Sequence, residues 1–120
     1  MKRVRSTNPE LISTARLLRK KARENSAPIW RDVADRLSSC RRRRVTINIG
    51  RLNRHVKDGE TVVVPGKVLG AGALDHAVFV AAFAFSEEAE AKILRAKGKC
   101  FSISELAEAN PSGSNVRILE

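Results

Sequence analysis

Thr61-Val62-Val63-Val64-Pro65-Gly66-Lys67-Val68-Leu69-Gly70-Ala71-Gly72-Ala73-Leu74-Asp75-His76 runs directly into Ala77-Val78-Phe79-Val80-Ala81-Ala82-Phe83-Ala84-Phe85. Asp58-Gly59 supplies a turn into the apolar run Thr61 to Val64, which reads as a strand; Pro65-Gly66 is expected to close it, since proline cannot donate to a ladder. Residues 66–76 are glycine-rich and read as an ordered loop. Ala77 to Phe85 is dense in valine and phenylalanine and reads as a buried strand. Strand, ordered loop and strand form the centre from which the rest of the chain is assigned.

Downstream, Ser86 caps a helix from Glu87 to Lys97 that starts acidic and ends basic, and Gly98 stands where a left-handed cap belongs. Cys100 to Ile103 reads as a short strand. Ser102 and Glu105 have capping-box spacing for a small helix ending near Asn110-Pro111, and Val116 to Leu119 reads as a last strand. Upstream, Asn8-Pro9-Glu10 signals the start of a helix reaching Asn25, with Leu11, Ala15, Leu18 and Ala22 as a narrow apolar stripe. Ser26-Ala27-Pro28 opens a second helix ending near Ser38-Ser39, where Ile29, Val33 and Leu37 form a stripe broadened by Trp30 and Ala34. After Arg41-Arg42-Arg43-Arg44, Val45 to Ile49 alternates with period two as a half-buried strand, and Gly50 to Val56 reads as a short helical turn. The fold class is α/β, an acidic body on which a basic helical amino-terminal region is mounted.

A length of 120 residues fits one domain, here divided into residues 1–54 (basic helices, linker and first strand) and 55–120 (α/β body). With four Phe, one Trp and no Tyr, the core is mostly aliphatic. Residues 1–54 carry 16 Lys and Arg against 4 acids, a net +12, whereas residues 55–120 carry 7 against 9, a net −2. So lopsided a field repels itself and calls for a polyanionic partner. Nucleic acid is favoured over a membrane surface, because no basic helix carries a large apolar or aromatic face. No apolar run approaches the roughly 18 to 20 residues of a membrane span, and no hydrophobic segment follows the charged start as in a secretory signal, so a cytoplasmic place is expected. The self-repulsion also leads us to expect that the first 40 or so residues are loosely held until RNA neutralises them, while the body folds on its own core.

Chemistry is expected to be absent. Cys40 and Cys100 are sixty residues apart and read as buried or idle thiols. The glycines at 66, 70 and 72 lack a Walker lysine and the third glycine of a dinucleotide loop; they are expected to permit an unusual or crowded backbone path. Asp75-His76 is the one acid/base pairing, but on an extended chain neighbours point to opposite faces, which argues against a dyad. Glu87, Glu88 and Glu90 are explained by the helix dipole without a metal. No catalytic residue, metal ligand, cofactor or small-molecule substrate is assigned. An RNA-modifying or nucleotide-using enzyme, and a free-standing nucleic-acid-binding protein using the first two helices, stay open as alternatives. The first lacks a convergent nucleophile and base, and the second lacks a glycine turn between its helices.

Val62-Val63-Val64-Pro65-Gly66-Lys67-Val68-Leu69-Gly70 followed by Leu74-Asp75-His76 resembles archaeal and eukaryotic large-subunit ribosomal protein eighteen, a family related to bacterial large-subunit protein fifteen. Asn8 to Leu11, Ile47 to Arg54, Asn110-Pro111 and Gly113 to Ile118 agree with it. The resemblance implies an irregular superhelical core of strand and helix units and a structural role on large-subunit (23S-type) ribosomal RNA, among neighbouring large-subunit proteins. The short carboxy terminus favours an archaeal source. Ala71 and Ala73 fall where polar or acidic residues are expected in some members, which puts side-chain contacts there in doubt. RNA contacts are assigned to Lys2, Arg3 and Arg5, to Arg16, Arg19, Lys20 and Arg23 of the first helix, to Arg41, Arg42, Arg43 and Arg44, to Arg51 and Arg54, and to Lys67. Guanidinium groups bind phosphate bidentately, and a basic run gains affinity by releasing counterions.

Overall fold

The structure, a computed structural model, describes residues 9–38 and 45–120. In chain order these form α1 (Pro9–Asn25), α2 (Pro28–Leu37), β1 (Val45–Asn48), α3 (Ile49–His55), β2 (Thr61–Leu69), β3 (Phe79–Phe85), α4 (Glu87–Arg95), β4 (Lys99–Ser102), α5 (Ile103–Ala109) and β5 (Val116–Ile118). Every strand pairing is parallel, in the order β1-β2-β3-β4, with β5 also on β2. The expected α/β class is the observed one.

β2 does not end at Pro65-Gly66 as the sequence reading expected; it continues to Leu69. The register explains why. Val64 pairs with Ala82 and Lys67 with Ala84, so Pro65 and Gly66 together oppose the single residue Phe83 in a β-bulge, a site where a strand tolerates proline. On its other edge β2 carries β5 along Thr61 to Val63 and β1 along Gly66 to Leu69. Pro65 lies in the gap between those two ladders, where its missing N–H removes no strand bond. Gly66 is demanded by β1: a β-carbon there would stand 1.9 Å from the Val45 carbonyl oxygen.

β2 and β3 are consecutive and parallel, a connection usually made through a helix. Because Thr61 pairs with Phe79, the chain leaving Leu69 must travel back roughly 26 Å, eight residues at about 3.3 Å each. Ten residue steps cover at most about 33–36 Å, so residues 70–78 form a nearly extended strap with no room for helix. Gly72 has φ +100, and a β-carbon on it would meet the Gly50 backbone at 2.6 Å. The expected conformational role of these glycines is therefore present at Gly66 and Gly72.

The sheet separates two cores. On the side of Val63 and Ala81 lie α1, α2 and α5, with Leu11, Leu18, Trp30, Val33, Leu37 and Ile103 fully or nearly fully buried. On the side of Val62, Val64, Val68 and Val80 lie α3 and α4, through Ile49, Leu52, Ala89 and Ile93. Trp30 Nε1 donates to the Pro111 carbonyl at 2.9 Å, tying α2 to the segment before β5. The amino-terminal helices thus form one wall of a core, so in the folded chain apolar packing is set against the self-repulsion expected from charge. Each buried leucine is worth about 2–5 kcal/mol against alanine, whereas like charges one turn apart on α1 cost only about 0.2–0.5 kcal/mol per pair. Packing outweighs repulsion.

α4 ends at Arg95, and Lys97, not Gly98, takes the left-handed conformation (φ 67). Gly98 serves close packing instead: a β-carbon there would stand 2.2 Å from the Val78 carbonyl oxygen. Ser86 caps α4, accepting from the Ala89 N–H, and the capping box of Ser102 and Glu105 starts α5.

Candidate nucleic-acid interface

On α1 the buried positions Leu11, Ala15, Leu18 and Ala22 define one side. Arg16, Lys20 and Arg23, spaced i, i+4 and i+7, therefore share the opposite side and are exposed. Arg19 lies off this stripe. Its guanidinium reaches Asp35 at 3.2 Å and the Ser38 hydroxyl at 3.2 Å, with the side chain only 13% exposed, so it brackets α1 to α2. Arg31, exposed on α2, was missed in the sequence reading; the helical spacing used for α1 identifies it as outward-facing.

α3 repeats the design on the other side of the sheet. Ile49 and Leu52 are buried, and Arg51 and Arg54 are exposed. Arg51 donates to the Glu120 carbonyl oxygen, and the Glu120 carboxylate pairs with Arg36, which also holds Asp32 at 3.1 Å. Lys67 is exposed on β2, in register between Thr46 of β1 and Ala84 of β3. Among the described residues the assigned cations thus form three groups, on α1, on α3 and at Lys67, and Arg19 turns inward. Lys2, Arg3, Arg5 and Arg41 to Arg44, like Cys40 and the Asn8 cap, lie outside the described residues.

The strap is pinned by side chains that the sequence reading did not single out. Asn48 Oδ1 accepts from the Ala71 N–H at 3.2 Å, Asn53 Oδ1 from Asp75 at 3.1 Å, and Asp58 Oδ1 from Ala77 at 3.1 Å. From the other side Lys92 donates to the carbonyls of Gly70 (2.6 Å) and Gly72 (2.7 Å) and pairs with Glu88 at 3.1 Å. α3 is thereby fixed to the strap, which holds Arg51 and Arg54 in place. Short polar side chains near a glycine loop have no periodicity, so nothing in their spacing betrayed this role. Arg117 on β5 likewise binds Glu60 through two bonds of 3.1 Å and the His55 carbonyl at 2.6 Å. The Lys57 N–H and then Arg117 hold the Glu60 carboxyl below the ordinary carboxylate range.

Asp75 and His76 correct another expectation. They do bond, Asp75 Oδ1 to His76 Nδ1 at 2.9 Å, where the otherwise nearly extended strap bends locally at His76. His76 Nε2 faces the Val56 carbonyl oxygen at 2.5 Å. Both ring nitrogens face acceptors, so the imidazolium form satisfies both, and first Asp75 and then Val56 raise the histidine above its ordinary value. The ring is occupied on both sides and acts as a clasp, with no nucleophile to activate. Burial pushes the half-buried Cys100 thiol up to about 11, far from a reactive thiolate. Among the described residues no group of three His, Cys, Asp or Glu side chains comes together, and no helix is long and apolar enough to cross a membrane.

A family model described as ribosomal protein 60S L18 and 50S L18e matches residues 1–120. The chain is similar to the large ribosomal subunit protein eL18 of Methanoregula boonei, at 49% identity over 97% of this chain and 96% of that protein. The protein of the same name from Methanothermobacter thermautotrophicus is 48% identical over 100% of this chain and 99% of its own length. That of Methanosphaerula palustris is 48% identical over 98% of this chain and 97% of the relative.

Proposed function

Given that the chain belongs to the family of ribosomal protein 60S L18 and 50S L18e, we infer that it is a structural constituent of the large ribosomal subunit and holds the subunit's RNA on its basic surface. It works in the cytoplasmic ribosome among other large-subunit proteins and is no enzyme. The RNA it contacts is of the 23S type. The contacts are made by the outward cations of residues 1–54 and by Lys67, with the arginine run 41–44 between α2 and β1 as a phosphate clamp. The observation that carries this assignment is the α1 stripe of Arg16, Lys20 and Arg23, exposed and aimed away from the core.

In cell extract separated on a sucrose gradient, nearly all of the protein should travel with large subunits. With a 23S-type RNA fragment as probe, changing Arg41, Arg42, Arg43 and Arg44 to Ser should flatten the slope of log affinity against log salt, by up to about 0.7–0.9 for each phosphate no longer neutralised. An unchanged slope means that the run faces solvent.

A further inference from the structure

We propose that Asp58 is a modification site, the place where this chain converts to isoaspartate, and that Ala77 of the strap is the lock that holds the reaction back in the folded protein. Asp58-Gly59 is the only Asp-Gly in the sequence, and there is no Asn-Gly. The reaction is intramolecular. The Gly59 nitrogen attacks the γ-carbon of the neutral Asp58 carboxyl, a C–N bond closes a succinimide ring, and the amide proton leaves with the carboxyl hydroxyl as water. Water then adds to either ring carbonyl. One opening restores aspartate; the other leaves the chain linked through the side chain as isoaspartate, with mass and oxidation state unchanged. Glycine favours the attack, since no β-carbon shields its nitrogen or restricts its backbone. Both residues are exposed, and nothing lies within 4 Å of where a Gly59 β-carbon would stand, so crowding does not protect the pair.

Hydrogen bonds protect it instead. Asp58 Oδ1 accepts from the Ala77 N–H at 3.1 Å, and the Gly59 N–H donates to the Ala77 carbonyl at 2.8 Å. Electrophile and nucleophile are thus held by the same strap residue, and ring closure requires the release of both. Neighbouring bonds tighten the turn: the Glu60 N–H donates to the Lys57 carbonyl and the Phe79 N–H to the Glu60 carbonyl, each at 3.0 Å. A net hydrogen bond is worth a factor of about five, so two of them slow the reaction roughly 25-fold, confining it to moments when the strap lifts. The product does not lock again. Isoaspartate lengthens the main chain by one carbon at position 58, and the carboxyl that gripped the strap has become a main-chain amide. Isoaspartate at 58 therefore marks a chain that has spent time with its strap open.

In the test, the full chain ages in oxygen-18 water, folded in plain buffer or unfolded in guanidinium chloride at the same temperature and pH. Electron-transfer fragmentation separates the two linkages at each aspartate, and every ring opening leaves one heavy oxygen behind. In denaturant, isoaspartate should build up at Asp58 ahead of Asp32, Asp35 and Asp75. In the folded chain it should form roughly 25-fold more slowly, and Ala77→Pro, which removes the N–H that holds Oδ1, should raise the folded rate about fivefold. Circular dichroism checks that this variant folds. Equal rates in folded and unfolded parent overturn the lock, whether or not the variant folds. A folded Ala77→Pro chain that reacts no faster than the parent overturns the role of Ala77, and a denatured chain that reacts elsewhere but not at Asp58 overturns the site.

Discussion

Replacing Gly66 with Ala tests how closely β1 is laid on the bulge of β2. The added methyl would stand 1.9 Å from the Val45 carbonyl oxygen, 2.8 Å from its carbon and 3.1 Å from its nitrogen, all backbone atoms with no rotamer to escape through. An ordinary contact begins near 3.4 Å, so β1 must retreat by about 1.5 Å. A ladder bond of about 2.9 Å stretched by that much is no longer a hydrogen bond. Val45 to Asn48 pair with Gly66 to Leu69, and losing part of that ladder at about 1 kcal/mol per bond, together with overpacking of about 1–3 kcal/mol, sets the penalty. Alanine returns only about 0.4–1 kcal/mol by restricting the unfolded chain. The expected net loss is about 2–4 kcal/mol, read as a lowered midpoint in urea unfolding with an unchanged slope. Gly59→Ala is the control: its φ is +77, but nothing lies within 4 Å of the added carbon, so only the left-handed backbone cost of about 1 kcal/mol applies. If Gly66→Ala is as stable as the parent, or loses no more than Gly59→Ala, the close approach of β1 is wrong. The placement of Arg51 and Arg54 on α3 then loses its anchor too.

Below about pH 6.5, the ordinary histidine value, the charged His76 clasp contributes its full stabilisation, because its folded value is raised by Asp75 and Val56; that contribution is lost as pH rises through the folded value. Urea midpoints should therefore fall as pH rises above about 6.5 in the parent and fall less in His76→Asn, and identical declines would remove the clasp from the account. Ser102→Ala breaks the capping box of α5, where the side chain accepts from the Glu105 N–H at 3.1 Å, and should cost about 0.5–2 kcal/mol; the same unfolding assay reads it. In limited proteolysis of the RNA-free protein, residues 9–38 should survive as long as the β2–β3 region, since both wall one core; early loss of α1 would restore the reading in which charge keeps it undocked.

Regular periodicity was legible and local crowding was not. α1 and the start of α4 stand where the apolar spacing and end signals put them, because a 3.6-residue pattern and caps are local properties. Pro65-Gly66 misled because the same dipeptide ends an edge strand or makes a bulge in a central one, and only the partners β1, β3 and β5 decide which. Gly98 misled for a similar reason: a glycine after a helix is favoured at positive φ, but here the Val78 backbone needs the space and Lys97 takes the strained conformation. The outward direction of Arg16, Lys20 and Arg23 could be read from the sequence, whereas the diversion of Arg19 to Asp35 depended on how α2 folds back. That α1 and α3 lie on opposite sides of a sheet was hidden, since sidedness is set by β2 and β3, which belong to the other half.

Two strands far apart in the chain, β1 and β5, lie end to end along one edge of β2, and this orders events during synthesis. A nascent chain that has emerged as far as β3 can pair β1 with the far half of β2, but the near half stays open until residues 116–118 arrive. Trp30 likewise waits for the Pro111 carbonyl. Long-range closures of this kind are slow to form, and an unpaired edge flanked by Val62 and Val63 invites pairing with another chain. Chains stalled shortly before residue 116 should be the aggregating species, and β5 acts as the latch that makes the protein safe to release.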